Sequence, residues 1–155
     1  MARITLSTHI ESSIHYATIT MHDDGKFDPV CLAEFNAALD TVYSDVRINA
    51  LIITGEEKTF SQGLDIEHLI SAGTEGAATF IDECMEMVGR LLILPIPLVA
   101  AVNGHAFGLG AMILMASDYK VMREDRGYFC LPEVDLNMVL IPSMNALVRD
   151  KLAGQ

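Results

Sequence analysis

Apolar residues along the chain recur with two spacings, one typical of strands and one typical of helices. Continuous or alternating apolar runs predict strands, and these runs lie at residues 4–9, 15–21, 50–54, 97–102 and 119–122. Apolar stripes at three- and four-residue spacing predict helices, and these stripes lie at residues 29–44, 80–92, 111–116 and 142–152. Because strands alternate with helices, we predict an α/β fold, with residues 1–155 forming one domain.

Turn and capping residues set the borders of these elements. Residues 11–13, Glu-Ser-Ser, lie between the first two strands and predict a hairpin. Asp28 followed by Pro29 is typical of a helix start, with Asp as the N-cap and Pro in the first turn. Asp65 is expected to cap a short helix that ends before a polar, glycine-containing break at residues 71–76.

Two glycine-containing loops share one design. Residues 58–65 and residues 103–112 each follow an apolar strand and lead into a helix. Glycine lets the backbone approach a ligand closely, and the start of a helix presents unpaired N–H groups to it. One N–H group from each loop could converge on an oxygen as an oxyanion hole, in which a single donor contributes about 2.7–4 kcal/mol. The alternative is that both loops are ordinary turns between a strand and a helix.

The composition is that of a globular protein, with 51% hydrophobic and 20% charged residues among 155. A net charge of −11 argues against binding to nucleic acid or to an anionic membrane surface, because both favour basic patches. A small phosphate-bearing molecule is compatible with this charge, since backbone amides can hold it. The N-terminus lacks the apolar core of a signal peptide. The apolar run 91–102 is too short and too interrupted by proline to span a bilayer.

Three cysteines, Cys31, Cys84 and Cys130, form no CxxC pair. We expect them to be reduced, buried thiols of a soluble, cytoplasmic protein. Several methionines are expected to fill the core and line an apolar pocket rather than bind a metal. They are Met85, Met87, Met112, Met115, Met138 and Met144. Because no group of His, Asp or Glu residues has the spacing of metal ligands, we expect no metal site.

Three ordered motifs carry a resemblance to a known family. They are FSQGLD at residues 60–65, NGHAFGLGAM at 103–112 and LPEVDL at 131–136. In these motifs, and over nearly the whole chain, the sequence resembles the crotonase (enoyl-CoA hydratase/isomerase) superfamily. The resemblance implies a spiral of ββα turns, acyl-CoA thioester substrates and stabilisation of a thioester enolate. It implies no separate cofactor, because coenzyme A is part of the substrate.

The same resemblance assigns positions in the site. It implies that the oxyanion donors are the backbone N–H groups of Leu64 and Leu109. It also implies substrate contacts from both loops, of which the first would line the groove for coenzyme A. These contact positions are Ser61, Gln62, Gly63, Asp65, Ile66, Gly108, Gly110 and Met112.

The carboxylates decide which reaction the resemblance implies. Hydratases of the family use two glutamates; here Met112 stands at the first position and Glu133, 21 residues further on, stands at the second. A single carboxylate can take a proton from C2 of the acyl chain and return it at C4. The resemblance therefore favours Δ3→Δ2 enoyl-CoA isomerisation in fatty-acid β-oxidation, with Glu133 as general acid and base. Local sequence alone fits an ordinary surface-loop glutamate.

Two further polar residues are weaker candidates. His105 lies in the second glycine loop and is an alternative base, although we expect its side chain to pack behind the loop. Asp135 follows Glu133 by two residues, so an extended segment would turn both carboxylates the same way.

The sequence disfavours two other classes of enzyme and leaves two alternatives open. The glycines of the second loop run in the order GxxxGxG, which is not the dinucleotide fingerprint GxGxxG. The GxSxG motif of serine hydrolases is missing from the sequence. A hydrolase of acyl-CoA thioesters is an alternative, because a lone glutamate can activate water. A non-catalytic subunit that binds acyl-CoA or serves assembly is another.

Members of this superfamily are substantially longer than 155 residues, and their C-terminal helices complete the acyl and CoA pockets and the trimer contacts. We therefore expect that helical part to be missing here. Apolar surface that it would cover should be exposed or buried by self-association. The expected partners are an acyl-CoA and further copies of the chain, as a trimer or a dimer of trimers, with neither nucleic acid nor a membrane.

Overall fold

The structure is a computed structural model that describes residues 2–133, 135 and 139–152. Its strands are β1 (Ile4–Glu11), β2 (Ile14–Met21), β3 (Lys26–Phe27), β4 (Ala50–Gly55), β5 (Thr59–Ser61), β6 (Gly63–Leu64), β7 (Leu98–Val102), β8 (His105–Phe107), β9 (Tyr119–Met122) and β10 (Phe129–Cys130). Its α-helices are α1 (Pro29–Ser44), α2 (Ile66–Leu92), α3 (Leu109–Ala116) and α4 (Pro142–Leu152). The predicted α/β class is confirmed.

The main sheet has five strands in the order β1-β2-β4-β7-β9. Strands β1 and β2 form the predicted antiparallel hairpin, and the other neighbours are parallel. Ser12 and Ser13 make its two-residue turn with φ of 50° and 74°, which is the backbone twist that short hairpins favour. One face of the sheet is apolar and buried, because alternate residues of β2, β4 and β7 point into the core.

Two small sheets hold the glycine loops. Strands β5, β8 and β10 form a parallel sheet in the order β10-β8-β5, and β3 pairs with β6. The prediction that residues 58–65 and 103–112 are plain loops is therefore wrong in part, since each contains short strands. Strands of two or three residues have too few positions to show a period in the sequence, and they form only because a partner lies alongside.

The helices follow the predicted caps. The Asp28 carboxylate accepts a hydrogen bond from the Cys31 amide at 2.8 Å, and α1 ends at Ser44 as predicted. The predicted break at residues 71–76 is too long, because α2 is interrupted only at Gly73, which has a φ of 69° and a ψ of 177°. Helix α3 begins two residues earlier than predicted and is buried all round.

The core is built from apolar residues of the main sheet and of all four helices. The predicted methionines 85, 87, 112, 115 and 144 are buried in it, and Met138 lies outside the described residues. All three cysteines are free. Cys31 and Cys84 are buried as predicted, whereas Cys130 is only half-buried because β10 is an edge strand. Among the described residues, no helix combines the length and apolar character that a membrane crossing needs.

Candidate active site at the two glycine loops

The two glycine loops lie in direct contact. Strands β5 and β8 run parallel and pair Ser61 with Ala106, which puts the residues that follow them side by side. A Cβ placed on Gly63 would lie 2.6 Å from the Phe107 carbonyl oxygen and 3.0 Å from the Leu109 amide nitrogen. Gly63 also has φ of +82°, which disfavours a side chain. The first loop therefore passes directly against the start of α3 only because residue 63 has no side chain.

The first amide N–H groups of α3 have no carbonyl acceptor within the helix. Gly108 is its N-cap, with φ of 50° and ψ of −116°, and no side chain caps it. The Gly108 carbonyl accepts from the Met112 amide at 3.0 Å, so the Leu109 N–H group precedes the first helical hydrogen bond. The helix dipole adds partial positive charge there. The predicted donor Leu109 thus lies at a favourable place for an anionic oxygen.

The second predicted donor, Leu64, lies on a strand with one free edge. Strand β6 pairs with β3, and the Asp65 amide donates to the Phe27 carbonyl at 2.9 Å. Successive amides of a strand point to opposite edges, so the Leu64 N–H group points away from β3. Strand β6 also contacts α3, and a Cβ placed on Gly63 would lie 3.0 Å from the Leu109 nitrogen, so the Leu64 amide lies near the start of that helix.

Glu133 is brought to these amides by the edge strand β10. The Gly108 amide donates to the Cys130 carbonyl at 3.0 Å, which fixes the chain three residues before the carboxyl group. A Cβ placed on Gly108 would lie 3.2 Å from Oε1 of Glu133. Oε2 is buried and has no hydrogen-bond partner among the described residues. A buried carboxylate oxygen without a hydrogen-bond partner is costly, so this oxygen is available to a bound molecule.

Four of the predicted positions lie together on one cavity of about 290 Å³. Its walls are Lys26, Gln62, Leu64, Asp65, Ile66 and Glu67. The Asp65 carboxylate is already used as the predicted cap of α2, since it accepts from the Glu67 amide at 2.9 Å and the His68 amide at 3.1 Å. Lys26 could not be identified from the sequence, because only the pairing of β3 with β6 brings it to this loop.

Two predicted contact residues, Ser61 and Met112, have fully buried side chains. The Ser61 hydroxyl donates to the Gly25 carbonyl at 2.6 Å and accepts from the Gly63 amide at 3.0 Å. It therefore holds the first loop in place instead of facing a groove. Met112 points into the core from α3, and Gly110 packs against Ser61 in the first turn of that helix. Neither the Ser61 nor the Met112 side chain is therefore placed to contact a ligand directly.

The weaker candidates are placed apart from the two amides. His105 is stacked between the rings of Phe107 and Tyr128, with centroid distances of 5.4 and 5.5 Å, and its Nδ1 is buried without a partner among the described residues. Asp135 is exposed. Within residues 2–133, 135 and 139–152, no cluster of His, Cys, Asp and Glu side chains is arranged to hold a metal ion.

Comparisons with known proteins find relatives of this chain over most of its length. The sequence profile of the enoyl-CoA hydratase/isomerase family matches residues 10–149. The chain is 36% identical to the peroxisomal enoyl-CoA delta isomerase 2 of Arabidopsis thaliana over 141 residues, and 35% identical to enoyl-CoA delta isomerase 3 of the same plant over 142 residues. These matches cover 87% and 88% of this chain.

Solved structures show the same fold. The crystal structure of a probable enoyl-CoA hydratase from Mycobacterium tuberculosis H37Rv superposes with a TM-score of 0.80 at 30% identity and covers 93% of this chain. The match spans 59% of each Arabidopsis relative and 60% of the mycobacterial chain. The spiral fold expected from the sequence motifs is thereby confirmed, over little more than half the length of these relatives.

Proposed function

Because the chain belongs to the enoyl-CoA hydratase/isomerase family, we propose that it moves a double bond in an enoyl-CoA from Δ3 to Δ2. The observation that carries the proposal is the closeness of the Glu133 carboxyl group to Gly108, the N-cap of α3: a Cβ placed on Gly108 would lie 3.2 Å from Oε1. This closeness supports a joint role for the Leu109 amide, which follows Gly108, and the Glu133 carboxyl group, whose Oε2 is buried without a hydrogen-bond partner among the described residues.

The reaction proceeds through an enolate of the thioester. The Leu64 and Leu109 N–H groups donate to the thioester carbonyl oxygen, which makes the protons on C2 more acidic. The Glu133 carboxylate removes a proton from C2, and the electron pair spreads over the carbonyl, C2, C3 and C4. Glu133 then returns that proton to C4, so the double bond lies between C2 and C3 and the carboxylate is restored.

The absence of a carboxylate at residue 112 separates this reaction from hydration. Hydration needs one group to activate water and one to protonate the α-carbon. Met112 is fully buried and apolar, and Asp135 is exposed. Glu133 therefore acts alone, which suits a proton that leaves and returns within one substrate.

The coenzyme A portion of the substrate is proposed to lie along the cavity of Gln62, Leu64, Asp65 and Ile66. The Lys26 ammonium group on this wall can attract a phosphate of coenzyme A in a chain that carries a net charge of −11. The Arabidopsis isomerase 2 is named as a peroxisomal protein, and for this chain a cytoplasmic location stays a prediction.

The test offers 3-enoyl-CoA and 2-enoyl-CoA to the full chain in separate reactions. We expect the 3-enoyl substrate to be converted to the 2-enoyl product, with no hydration and no free thiol. Glu133→Gln should lower kcat by roughly 100-fold or more, because it removes the general base while keeping the shape. The matched control is Asp135→Asn, which neutralises an exposed carboxylate two residues away and should leave the rate unchanged.

Three results would contradict the proposal. Thiol release that depends on Glu133 would show a thioester hydrolase, and 3-hydroxyacyl-CoA formation would show a hydratase. Tight binding without turnover would show an acyl-CoA-binding subunit.

A further inference from the structure

A second cavity of about 760 Å³ lies at one end of the main sheet, and it shares no residue with the candidate site described above. Its walls are Ala2, Arg3, Thr5, His22, Asp23 and Glu56. Five of these six residues carry a hydroxyl, an imidazole or a charge. Nothing in the proposed isomerisation uses them.

Three of these side chains form a continuous chain of polar contacts. The Thr5 hydroxyl is hydrogen-bonded to Nε2 of His22. On the other side of the ring, Nδ1 of His22 lies 3.1 Å from Oε2 of Glu56. A hydroxyl, an imidazole and a carboxylate in this order are the parts of an activated nucleophile: the ring takes the proton of the hydroxyl and the carboxylate orients the ring.

The register of the main sheet brings these three residues together. At the end of the antiparallel pair β1 and β2, the His22 amide donates to the Arg3 carbonyl at 2.8 Å. At the end of the parallel pair β2 and β4, Met21 lies opposite Gly55. His22 and Glu56 are therefore neighbours just past two adjacent strands. Because Met21 is fully buried, the next residue, His22, points to the opposite face of the sheet.

The three side chains are reachable from solvent. Thr5 and Glu56 are exposed, and His22 is half-buried. A hydroxyl that solvent can reach and that is paired with an oriented imidazole can act as a nucleophile. We propose that Thr5, His22 and Glu56 form a second catalytic site that hydrolyses small carboxylic esters.

The steps balance with water as the only co-reactant. The Thr5 oxygen attacks the ester carbonyl carbon while its proton passes to Nε2 of His22, and Glu56 stabilises the resulting imidazolium. The carbon–oxygen bond to the leaving alcohol breaks, and the alcohol takes the proton from His22. Water then attacks the Thr5 ester, its proton passes through His22 to the Thr5 oxygen, and the carboxylic acid is released.

The charges around the cavity set its substrate class. The Arg3 guanidinium is already paired with Asp28 at 3.1 Å and with Asp23 at 3.4 Å, and it donates to the Lys26 carbonyl at 2.9 Å, so it adds little net positive charge to the cavity. The Glu56 and Asp23 carboxylates repel anionic substrates. Neutral esters are therefore the class that this cavity suits.

The test uses p-nitrophenyl acetate and the full chain. We expect release of p-nitrophenolate and, after rapid acid quenching, one acetyl group on Thr5 in the mass spectrum of its peptide. Thr5→Val should lower the release by roughly 100-fold, and Thr5→Ser should restore it because serine brings back the hydroxyl. His22→Gln and Glu56→Gln should lower the release as well.

The matched control is Thr20→Val, because Thr20 lies directly opposite Thr5 in the hairpin. It removes the same hydroxyl from the same face and should leave ester hydrolysis unchanged. Release that is equal in Thr5→Val and in the unaltered chain would overturn the proposal, and so would acetyl groups found only on His22 or on lysines. Unchanged thermal unfolding of Thr5→Val shows that a lost rate is not lost folding.

Discussion

Gly108 combines an unusual backbone conformation with a position next to the proposed catalytic carboxyl group. Its φ of +50° belongs to a region that side chains rarely adopt, and a Cβ there would lie 3.2 Å from Oε1 of Glu133. We expect Gly108→Ala to destabilise the fold by about 1–3 kcal/mol through backbone strain. We also expect it to lower kcat for the isomerisation, since it displaces the carboxyl group. Urea unfolding and the enoyl-CoA assay measure the two effects separately.

Gly89 is the matched control for that substitution. It lies inside α2, and a Cβ added there meets no heavy atom within 4 Å. Gly89→Ala should therefore raise the free energy of unfolding by about 0.5–1 kcal/mol, because glycine is disfavoured inside a helix, and leave the rate unchanged. Full activity of Gly108→Ala would contradict the contact on which the proposed function depends.

The three cysteines should differ in their reactivity. Burial raises the pKa of the Cys31 and Cys84 thiols to about 12, so neither forms thiolate at mildly alkaline pH. Cys130 is half-buried on an edge strand. We expect a disulfide reagent such as DTNB to titrate one thiol in the folded chain and all three in denaturant. Equal and rapid reaction of all three in the folded chain would contradict the packing described for α1 and α2.

The N-cap of α1, Asp28, provides a direct test of helix stability. The Asp28 carboxylate accepts from the Cys31 amide and lies 3.1 Å from the Arg3 guanidinium. Asp28→Ala should lower the free energy of unfolding by about 1 kcal/mol. Asp28→Asn keeps the cap and removes only the charge, so it should cost less. Urea unfolding of both variants checks the order, and an Ala variant as stable as the unaltered chain would be inconsistent with this cap.

Most of the longer elements could be predicted from the sequence, and the strands of two or three residues could not. The hairpin, α1 and α4 carry a clear period and recognisable caps, and they lie where the sequence places them. Strands β5, β6 and β8 have two or three residues each, so their existence depends on partners far away in sequence. The break in α2 has a different cause: a single residue with positive φ, Gly73, interrupts the helix, whereas the polar and glycine residues among 71–76 suggested a longer break.

The whole molecule exposes an apolar edge on its main sheet. Strand β9 is an end strand in the described sheet order, and its residues Tyr119 and Val121 are each 65% exposed. Edge strands with apolar side chains favour pairing with another chain, and we expect association through this edge. Light scattering at micromolar concentration should show an oligomer, and Val121→Lys should weaken it because a lysine on an edge strand opposes pairing.

Val46 provides the control for that experiment. It is 94% exposed but lies between α1 and β4, outside any strand. Val46→Lys adds the same charge to the surface and should leave the oligomer unchanged. A monomeric unaltered chain would contradict the association, while a monomer produced by both variants would indicate a general charge effect instead of a contact at β9.

Most of the first candidate site could be found from the sequence, whereas the second could not. The glycine loops and Glu133 could be found because they lie in short motifs that resemble a known family. The contact of Lys26 with the first loop could not, since it depends on strand pairing. Thr5, His22 and Glu56 form no motif at all, and only the register of three strands makes them neighbours.

In the proposed isomerisation, one carboxyl group carries one proton from C2 to C4 while two backbone amides hold the enolate. The most direct measurement uses 3-enoyl-CoA with deuterium at C2, converted in ordinary water under single-turnover conditions. Because Oε2 of Glu133 is buried and has no hydrogen-bond partner among the described residues, we expect part of the deuterium to appear at C4 of the 2-enoyl product. We expect Glu133→Gln to form this product at least roughly 100-fold more slowly. Isomerised product with no deuterium at C4, formed equally well by Glu133→Gln, would contradict the account.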